Sequence, residues 1–284
     1  MRPASDDDRD EVLALGVAEE ADWFGEAETD AAEVGEWIDD EGGLSDGVVA
    51  VAGDGRIRGF ASPGRHQSVF LAAPAATDEV ADELLPWLRE RSGAVELTTF
   101  AGDARRVAAF ERNGLRHERS SFTLAREDAI GPLPAAELPP GVDVAPYRLG
   151  DDDEAVHRLV YVDAAWAAQP GHAERDLASW REANANCPSQ FLARRDGAAV
   201  GWVSGRLLES GRGYVQMLAV AASERGRGLG RALLLHALAD LQRSGARDLT
   251  LGVEAANDAA LGLYRSVGLE VEREWRVYGS SARP

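Results

Sequence analysis

The stretch from residue 225 to residue 231 has the residue types that bind a phosphate-bearing ligand. A β-prone apolar run, Tyr214 to Val220, precedes it, and a helix-period run with Leu234, Leu238 and Leu241 on one face follows. A helix start presents unpaired backbone N–H groups and the positive end of the helix dipole, and glycines let that backbone approach a pyrophosphate closely. The predicted anion-binding residues are Arg225, Gly226, Arg227, Gly228, Leu229, Gly230 and Arg231.

Backbone hydrogen bonds would provide most of the binding energy at such a site. Each charge-assisted bond contributes about 1.5 to 3 kcal/mol, whereas the helix dipole contributes about 0.3 to 1 kcal/mol. Two other phosphate-binding folds match less well. A dinucleotide fold places its glycines after the first strand of a βαβ unit, and a P-loop needs a lysine that does not follow this loop. A glycine-rich turn without a ligand is the plain alternative.

Several motifs around the loop resemble those of the GNAT superfamily. They are Leu218-Ala219-Val220, Arg225-x-x-Gly228-x-Gly230, Asn257-x-x-Ala260, Leu263-Tyr264 and Gly268-Leu269. The resemblance implies an α/β fold in which a mixed, splayed β-sheet flanked by helices holds acetyl-CoA between two parting strands. Tandem members with a degenerate first copy, such as the mycothiol synthases, are similar in overall plan.

The resemblance also implies roles for individual residues. Backbone groups of Leu218, Ala219 and Val220 would hold the thioester and the pantetheine arm, and Tyr264 would protonate the departing sulfur. A phenol of pKa about 10 gives its proton to a thiolate of pKa about 8.5 only where the site makes the thiolate the stronger base; otherwise it acts as a hydrogen-bond donor. Packing as a core aromatic is the structural alternative for Tyr264.

The strand before the loop lacks the glutamate that this family often uses as general base. Strict alternation predicts that Tyr214 and Gln216 face one side, and that Val215 and Met217 face the other. Because none of these four residues is a carboxylate, proton removal from an amine would fall to another group or to water.

Two acids and one amide close to the loop are further candidates. Glu254, at the end of the next strand, is the preferred general base, and Glu209, in the preceding turn, is the second choice; a solvated surface position is the alternative for both. Asn257 follows the same strand as Glu254, and it would cap the next helix, contact the cofactor, or do both.

The acceptor pocket is expected among the first helices of the second half. Tyr161, Trp166 and His172 flank the turn at residues 169–171 there, although core packing and surface exposure are the alternatives for these side chains. The predicted acceptor-binding residues are Trp166, His172, Tyr214 and Gln216.

Two halves of the chain repeat the same order of signals. Each has an acid cluster at a helix start, then two strands around an Asp-Gly turn with a glycine four residues later, and then a helix ending in glycine and leucine. In the final helix Phe110 matches Tyr264. The predicted organisation is a first GNAT-like domain at 1–127, a Pro-rich linker at 128–141 and a catalytic GNAT domain at 142–284, so the predicted fold class is α/β with tandem GNAT folds.

The first half lacks the features that would bind CoA. Where the second half has its glycine loop, the first reads Pro74 to Val80, with Asp78 and Glu79 at the expected helix start. Carboxylates suit the helix dipole but repel phosphate. The first half is therefore predicted to be structural or to shape the acceptor site.

Composition excludes several function classes. The net charge of -19 disfavours a nucleic-acid surface, and every one of the 30 basic residues is arginine, a combination that resembles proteins of salt-loving organisms. The single cysteine, Cys187, rules out an internal disulfide, and no metal site is predicted. No run is long and apolar enough for a membrane span, and the N-terminus is acidic, so a cytoplasmic monomer or homodimer with no membrane partner is expected.

These patterns together predict an N-acetyltransferase that uses acetyl-CoA and the primary amine of a small molecule or peptide. A non-catalytic acyl-CoA sensor or scaffold is the alternative, prompted by the missing carboxylate. A dinucleotide-dependent enzyme is a third reading, which the late position of the glycine loop disfavours.

Overall fold

A computed structural model of the protein describes residues 1–126, 131–164, 176–185 and 187–280. The strands are β1 (Arg2–Pro3), β2 (Val48–Val51), β3 (Ile57–Ser62), β4 (Val69–Ala72), β5 (Glu96–Phe100), β6 (Arg116–Arg126), β7 (Val142–Pro146), β8 (Ser189–Arg195), β9 (Ala198–Leu207), β10 (Arg212–Val220), β11 (Asp248–Glu254) and β12 (Glu270–Gly279). The α-helices are α1 (Arg9–Phe24), α2 (Ala31–Asp40), α3 (Thr77–Ser92), α4 (Ala104–Arg112), α5 (Asp153–Arg158), α6 (Leu177–Ala185), α7 (Leu229–Arg243) and α8 (Asp258–Arg265). Short 3₁₀ turns lie at Asp6–Asp8, Pro74–Ala76 and Ala222–Glu224, and a π-helical turn lies at Leu159–Asp163.

The chain forms two compact units. The first contains Met1–Ser121 together with a segment that begins at Arg273, and the second contains Phe122–Glu272. The late segment joins the first unit because Trp275 to Gly279 of β12 pair antiparallel with β5. The predicted domain boundaries at 127 and 142 separate two repeated halves of the sequence, and they stay a prediction. The compact units have different bounds, because β12 pairs with a strand of the first half.

The first unit packs helices on both faces of the sheet β1-β2-β3-β4. Phe60 and Ala61 of β3 point to opposite faces because side chains alternate along a strand. α3 covers the Ala61 face, and α1 and α2 cover the Phe60 face. A fully buried leucine contributes about 1.5 to 3 kcal/mol to such a core. The fully buried residues of α3 are Val80, Ala81, Leu84, Leu85 and Leu88.

The sheet of the second unit runs in the order β11-β10-β9-β8-β7, with β10 and β11 parallel and the other neighbours antiparallel. α7 packs closely on one face, where a Cβ added at Gly201 would lie 2.6 Å from a Leu233 methyl carbon. α6 lies on the other face, where the rings of Trp180 and Trp202 are 5.7 Å apart.

The parallel pair in this sheet separates partway along its length. β10 pairs with β11 from Arg212 to Val215, but its pairing with β9 continues to Val220. Residues 216–220 of β10 therefore border a cleft where β11 has diverged. A mixed, splayed sheet flanked by helices was the predicted fold class, and the structure confirms it.

Candidate active site

A β-bulge marks the point where β10 leaves β11. Val215 pairs with Gly205, and Met217 pairs with the neighbouring Ser204. Gln216 is therefore an extra residue in β10, inserted between two residues that pair with consecutive residues of β9. Because Gly205 and Ser204 are consecutive, Val215 and Met217 face opposite sides of the sheet. The predicted alternation, which put these two residues on the same side, is wrong for that reason.

Beyond the bulge, β10 turns backbone donors toward the cleft. The N–H of Ala221 donates to the Val200 carbonyl at 2.9 Å, and antiparallel pairs alternate between bonded and non-bonded residues. The same alternation directs the N–H of Ala219 to β9 and the N–H groups of Leu218 and Val220 away from it. The N–H groups of Leu218 and Val220 thus lie along the cleft, two residues apart. Donors at this spacing suit the carbonyl groups of an extended ligand chain.

The glycine loop continues from this strand into α7. Gly226 and Gly228 have φ of +70° and +87°, which favour glycine, and a Cβ added at either would meet nothing within 4 Å. The first bond within α7 runs from the N–H of Ala232 to the carbonyl of Gly228 at 3.0 Å, so the N–H groups of Leu229, Gly230 and Arg231 precede the helical ladder. This open, glycine-lined helix start has the geometry that suits an anion, and its role as an anion cradle stays a prediction.

A buried acid anchors the loop and was not foreseen from the sequence. Glu224, 4% exposed, accepts from Arg195 Nε at 2.8 Å and Nη2 at 3.0 Å, and these hydrogen bonds hold the pKa of its carboxyl below the usual range. Arg225 and Arg227 are exposed, and Arg231 is half-buried. Because Arg195 neutralises the one acid in the loop, the loop arginines give it a net positive charge.

Gly228→Glu is expected to weaken acetyl-CoA binding about 10- to 100-fold by calorimetric titration. The carboxylate would face the phosphate position, and loss of one or two charge-assisted bonds at about 1.5 to 3 kcal/mol each sets the scale. Gly245→Glu is the matched control: Gly245, just past the far end of α7, has φ of +92° and equally open surroundings. Equal loss of affinity in both variants would contradict an anion cradle at Gly228.

Two tyrosines lie near the cleft. Tyr264 of α8 is half-buried and packs on the core of the second unit, and the Tyr214 hydroxyl lies 3.4 Å from the position a Cβ would take at Gly252 of β11. Burial raises the pKa of both phenols, and the neighbouring Tyr214 raises the pKa of Tyr264 further. Both groups are therefore hydrogen-bond donors at neutral pH.

Asn257 fixes the start of the helix that carries Tyr264. Its Oδ1 accepts from the N–H of Ala260 at 3.1 Å, which confirms the capping role; cofactor contact stays a prediction. Glu254 is exposed at the carboxyl end of β11, where its carbonyl accepts from the N–H of Asn257 at 3.0 Å. The role of the Glu254 carboxylate as general base also stays a prediction.

The sheet face opposite α7 is lined by aromatic side chains. Trp180 and Trp202 are 1% and 0% exposed, and both rings contact Tyr147. Cys187 Sγ is 2.9 Å from Gln216 Oε1 on this side. Trp166 and His172, two predicted acceptor residues, lie outside the described residues. Trp202 was not predicted as part of this aromatic face, although the alternation of side chains along β9 could have indicated it.

A buried ion pair lies at the corresponding strand end of the first unit. Ala72 ends β4 just before the turn Pro74–Ala76, as the last residue of β10 precedes the glycine loop. Glu19 of α1 accepts from the Ala72 N–H at 2.5 Å and also from Arg106 of α4. The side chains of this pair are 5% and 3% exposed. The Glu19 carboxylate therefore already accepts the hydrogen bond that the Ala72 N–H could donate to a ligand.

No group of three or more His, Cys, Asp or Glu side chains in the described ranges is arranged to hold a metal ion. No helix within the same residues has the length and apolar character needed to cross a membrane.

Comparison with known proteins identifies relatives of the chain. Residues 155–269 match the Acetyltransferase (GNAT) family. A mycothiol acetyltransferase from Geodermatophilus obscurus is 31% identical over 264 residues, and the match covers 81% of each chain. Another from Thermobispora bispora is 36% identical over 180 residues, but that match spans 58% of this chain and just 57% of the relative.

Solved structures share the fold along the full length. A GCN5-related N-acetyltransferase from Sphaerobacter thermophilus has a TM-score of 0.79 at 24% identity, covering 100% of this chain and 95% of that one. A tandem GNAT protein from the clavulanic acid biosynthesis pathway has a TM-score of 0.73 at 17% identity, covering 100% and 98%. The tandem fold class predicted from the sequence is thereby confirmed, and the chain belongs to the GNAT family of acetyltransferases.

Proposed function

We propose that the protein transfers an acetyl group from acetyl-CoA to a primary amine of a small molecule or peptide. The observation that carries the proposal is the continuity of the cleft: the outward N–H groups of Leu218 and Val220 lead directly into the open helix start at Leu229. One side of this path suits the amides of a pantetheine arm, and its end suits a pyrophosphate. Acetyl-CoA presents these two chemistries in that order.

The groups of the chain would divide the chemistry as follows. The Leu218 N–H donates to the thioester oxygen and stabilises the negative charge that develops there when the amine attacks the carbonyl carbon. As the C–S bond breaks, the Tyr264 hydroxyl donates its proton, or a hydrogen bond, to the thiolate. The amine releases its proton to Glu254 or to water. That proton then returns to the Tyr264 phenolate, or reaches the thiolate directly where Tyr264 donates only a hydrogen bond, so that thiol, amide and the original site result.

We infer a structural role for the first unit. The Glu19 carboxylate satisfies the Ala72 N–H and is itself paired with Arg106, so the donor that corresponds to the Val220 N–H is already occupied. Asp78 and Glu79 open α3 in place of glycines and arginines. Both features support a degenerate first copy that does not bind CoA.

Titration calorimetry and a CoA-release assay test the proposal. Acetyl-CoA is expected to bind one site per chain, and some amine in a panel of polyamines, amino acids and peptides is expected to stimulate release of free CoA. Assays at low and high KCl allow for the acidic composition and for a predicted cytoplasmic, salt-rich setting. No binding heat would refute the proposal, and binding without turnover for any amine would favour the acyl-CoA sensor instead.

The pH profile provides a further prediction. Since burial raises the pKa of Tyr264 above its ordinary value of about 10, the phenol stays protonated throughout the range in which amines lose their proton. The value of kcat/KM is therefore expected to rise with pH as the amine becomes neutral, with no decline below about pH 10. A decline that begins below pH 9 and disappears in Tyr264→Phe would contradict this assignment.

A further inference from the structure

Arg206 lies beside Tyr214 on the sheet face opposite α7. The two residues are directly opposite in the β9–β10 register, and β9 carries Trp202 and Ser204 on the same face as Arg206. Arg206 is half-buried. Its positive charge opposes the rise that burial causes in the pKa values of Tyr214 and Cys187.

Within the described residues, the Arg206 guanidinium has no carboxylate partner of the kind that other enclosed arginines have. Arg106 pairs with Glu19, and Arg212 lies 3.1 Å from Asp248 and 2.9 Å from Glu272. For Arg206, no carboxylate in the described ranges lies within ion-pair distance, and its buried Nε has no hydrogen-bond partner there. This contrast is pronounced in a chain with 49 acidic residues.

The same face has further unsatisfied donors. Trp202 Nε1 and Ser204 Oγ are buried without hydrogen-bond partners in the described part of the chain, and both residues are 0% exposed. Leaving such groups unpaired costs about 1 to 3 kcal/mol each. An arginine that has no carboxylate partner among the described residues, on a face whose buried donors are also unpaired there, is suited to an oxygen-rich anion, and a planar guanidinium binds carboxylate and phosphate in bidentate geometry.

Resting on the proposed function, we propose that Arg206 binds a compact oxyanion of the acceptor, so that the substrate is an amine that also bears a carboxylate or phosphate. Arg206 is opposite Tyr214, and Leu218 is opposite Val203, three residues along β9. At about 3.3 Å per residue this separation is roughly 10 Å between backbones, part of which the arginine side chain spans. Several bonds therefore separate the anion from the reacting amine, as in an ω-amino acid or a dipeptide.

Matched amines test the assignment. The panel pairs glycine, β-alanine, 4-aminobutyrate, 6-aminohexanoate and glycylglycine with their carboxamides, and phosphoethanolamine with ethanolamine. The wild-type protein is expected to prefer at least one anionic member over its neutral counterpart by 10-fold or more in kcat/KM. The carboxylate and phosphate arms show which oxyanion is bound.

Arg206→Gln is expected to lower that preference at least 10-fold, through KM, while the rates with neutral amines and the KM for acetyl-CoA stay within about 3-fold of wild type. Arg206→Lys is expected to retain part of the preference, because the charge remains and the bidentate fork is lost. Arg243→Gln, at an exposed arginine near the end of α7 paired with Asp240, is the control.

Several outcomes separate this inference from the proposed function. If amines are acetylated without preference for an oxyanion, or if Arg206→Gln keeps the preference while folding normally, the role of Arg206 is wrong and the proposed function stands. If no amine releases CoA, the proposed function fails. Calorimetric binding of the same amines to CoA-saturated wild type and Arg206→Gln then decides the role of Arg206: a 10-fold difference supports it, and equal affinities overturn it.

Discussion

Tyr264→Phe is expected to lower kcat at least about 100-fold while acetyl-CoA affinity stays within about 3-fold of wild type. General acid catalysis typically contributes 10² to 10⁴ in rate. The substitution removes the hydroxyl and keeps the ring, which packs on the core of the second unit, so binding and folding should be conserved. Steady-state rates with the best amine, together with acetyl-CoA titration, measure the two effects separately.

Tyr214→Phe is the informative companion to that variant. Both phenols are donors whose pKa is raised by burial, but Tyr264 lies on the helix that the Asn257 cap positions. We expect Tyr214→Phe to lower kcat less than 10-fold. If it lowers kcat more than Tyr264→Phe does, the role of acid belongs to Tyr214; unchanged kcat in Tyr264→Phe would refute the assignment directly.

Glu19→Ala is expected to lower the free energy of unfolding by about 3 to 5 kcal/mol. Removing one partner of a buried ion pair leaves the other charge uncompensated, which has effects of this size. Here Arg106 would keep its charge at 2% exposure with the Asp103 carboxylate, 3.7 Å from its Nε, as a remaining partial partner, so the lower end of this range is expected; the Ala72 N–H would also lose its acceptor. Urea unfolding followed by circular dichroism, analysed for the transition that includes the first unit, measures the change.

Two variants control for this effect. Glu19→Ala combined with Arg106→Met should recover part of the lost stability, because both charges are then absent and the methionine fills space. Asp39→Ala, which breaks the exposed pair between Arg9 and Asp39, should cost no more than about 1 kcal/mol. A Glu19→Ala protein within 1 kcal/mol of wild type would show that the buried pair is not needed for stability.

Local patterns in the sequence predicted the parts of the site that depend on local backbone geometry. The glycine-rich run before a helix-period stretch indicated a helix start, and α7 begins at Leu229, directly after Gly228. An asparagine just before a helix-period run indicated a cap, and Asn257 is one. In both cases the residue type is selected by backbone geometry within a few positions, so a single sequence contains the information.

Features formed by distant parts of the chain were missed. The Glu224–Arg195 pair joins residues 29 apart, and the Glu19–Ala72 bond joins residues 53 apart. Neither leaves a periodic signal. The bulge at Gln216 was missed for a different reason: one inserted residue shifts the alternation of a strand without requiring glycine or any other residue type.

The late arrival of β12 in the first unit has a consequence for protein synthesis. Roughly 150 residues are made between Ser121 and Arg273, so β5 leaves the ribosome long before its partner segment Trp275 to Gly279 exists. At about 5 to 20 residues per second, that edge of β5 waits for about 8 to 30 seconds. An unpaired strand edge is a template for aggregation during that interval. Truncation after Glu272 should therefore yield insoluble protein, even though the proposed catalytic residues Glu254 and Tyr264 are both retained.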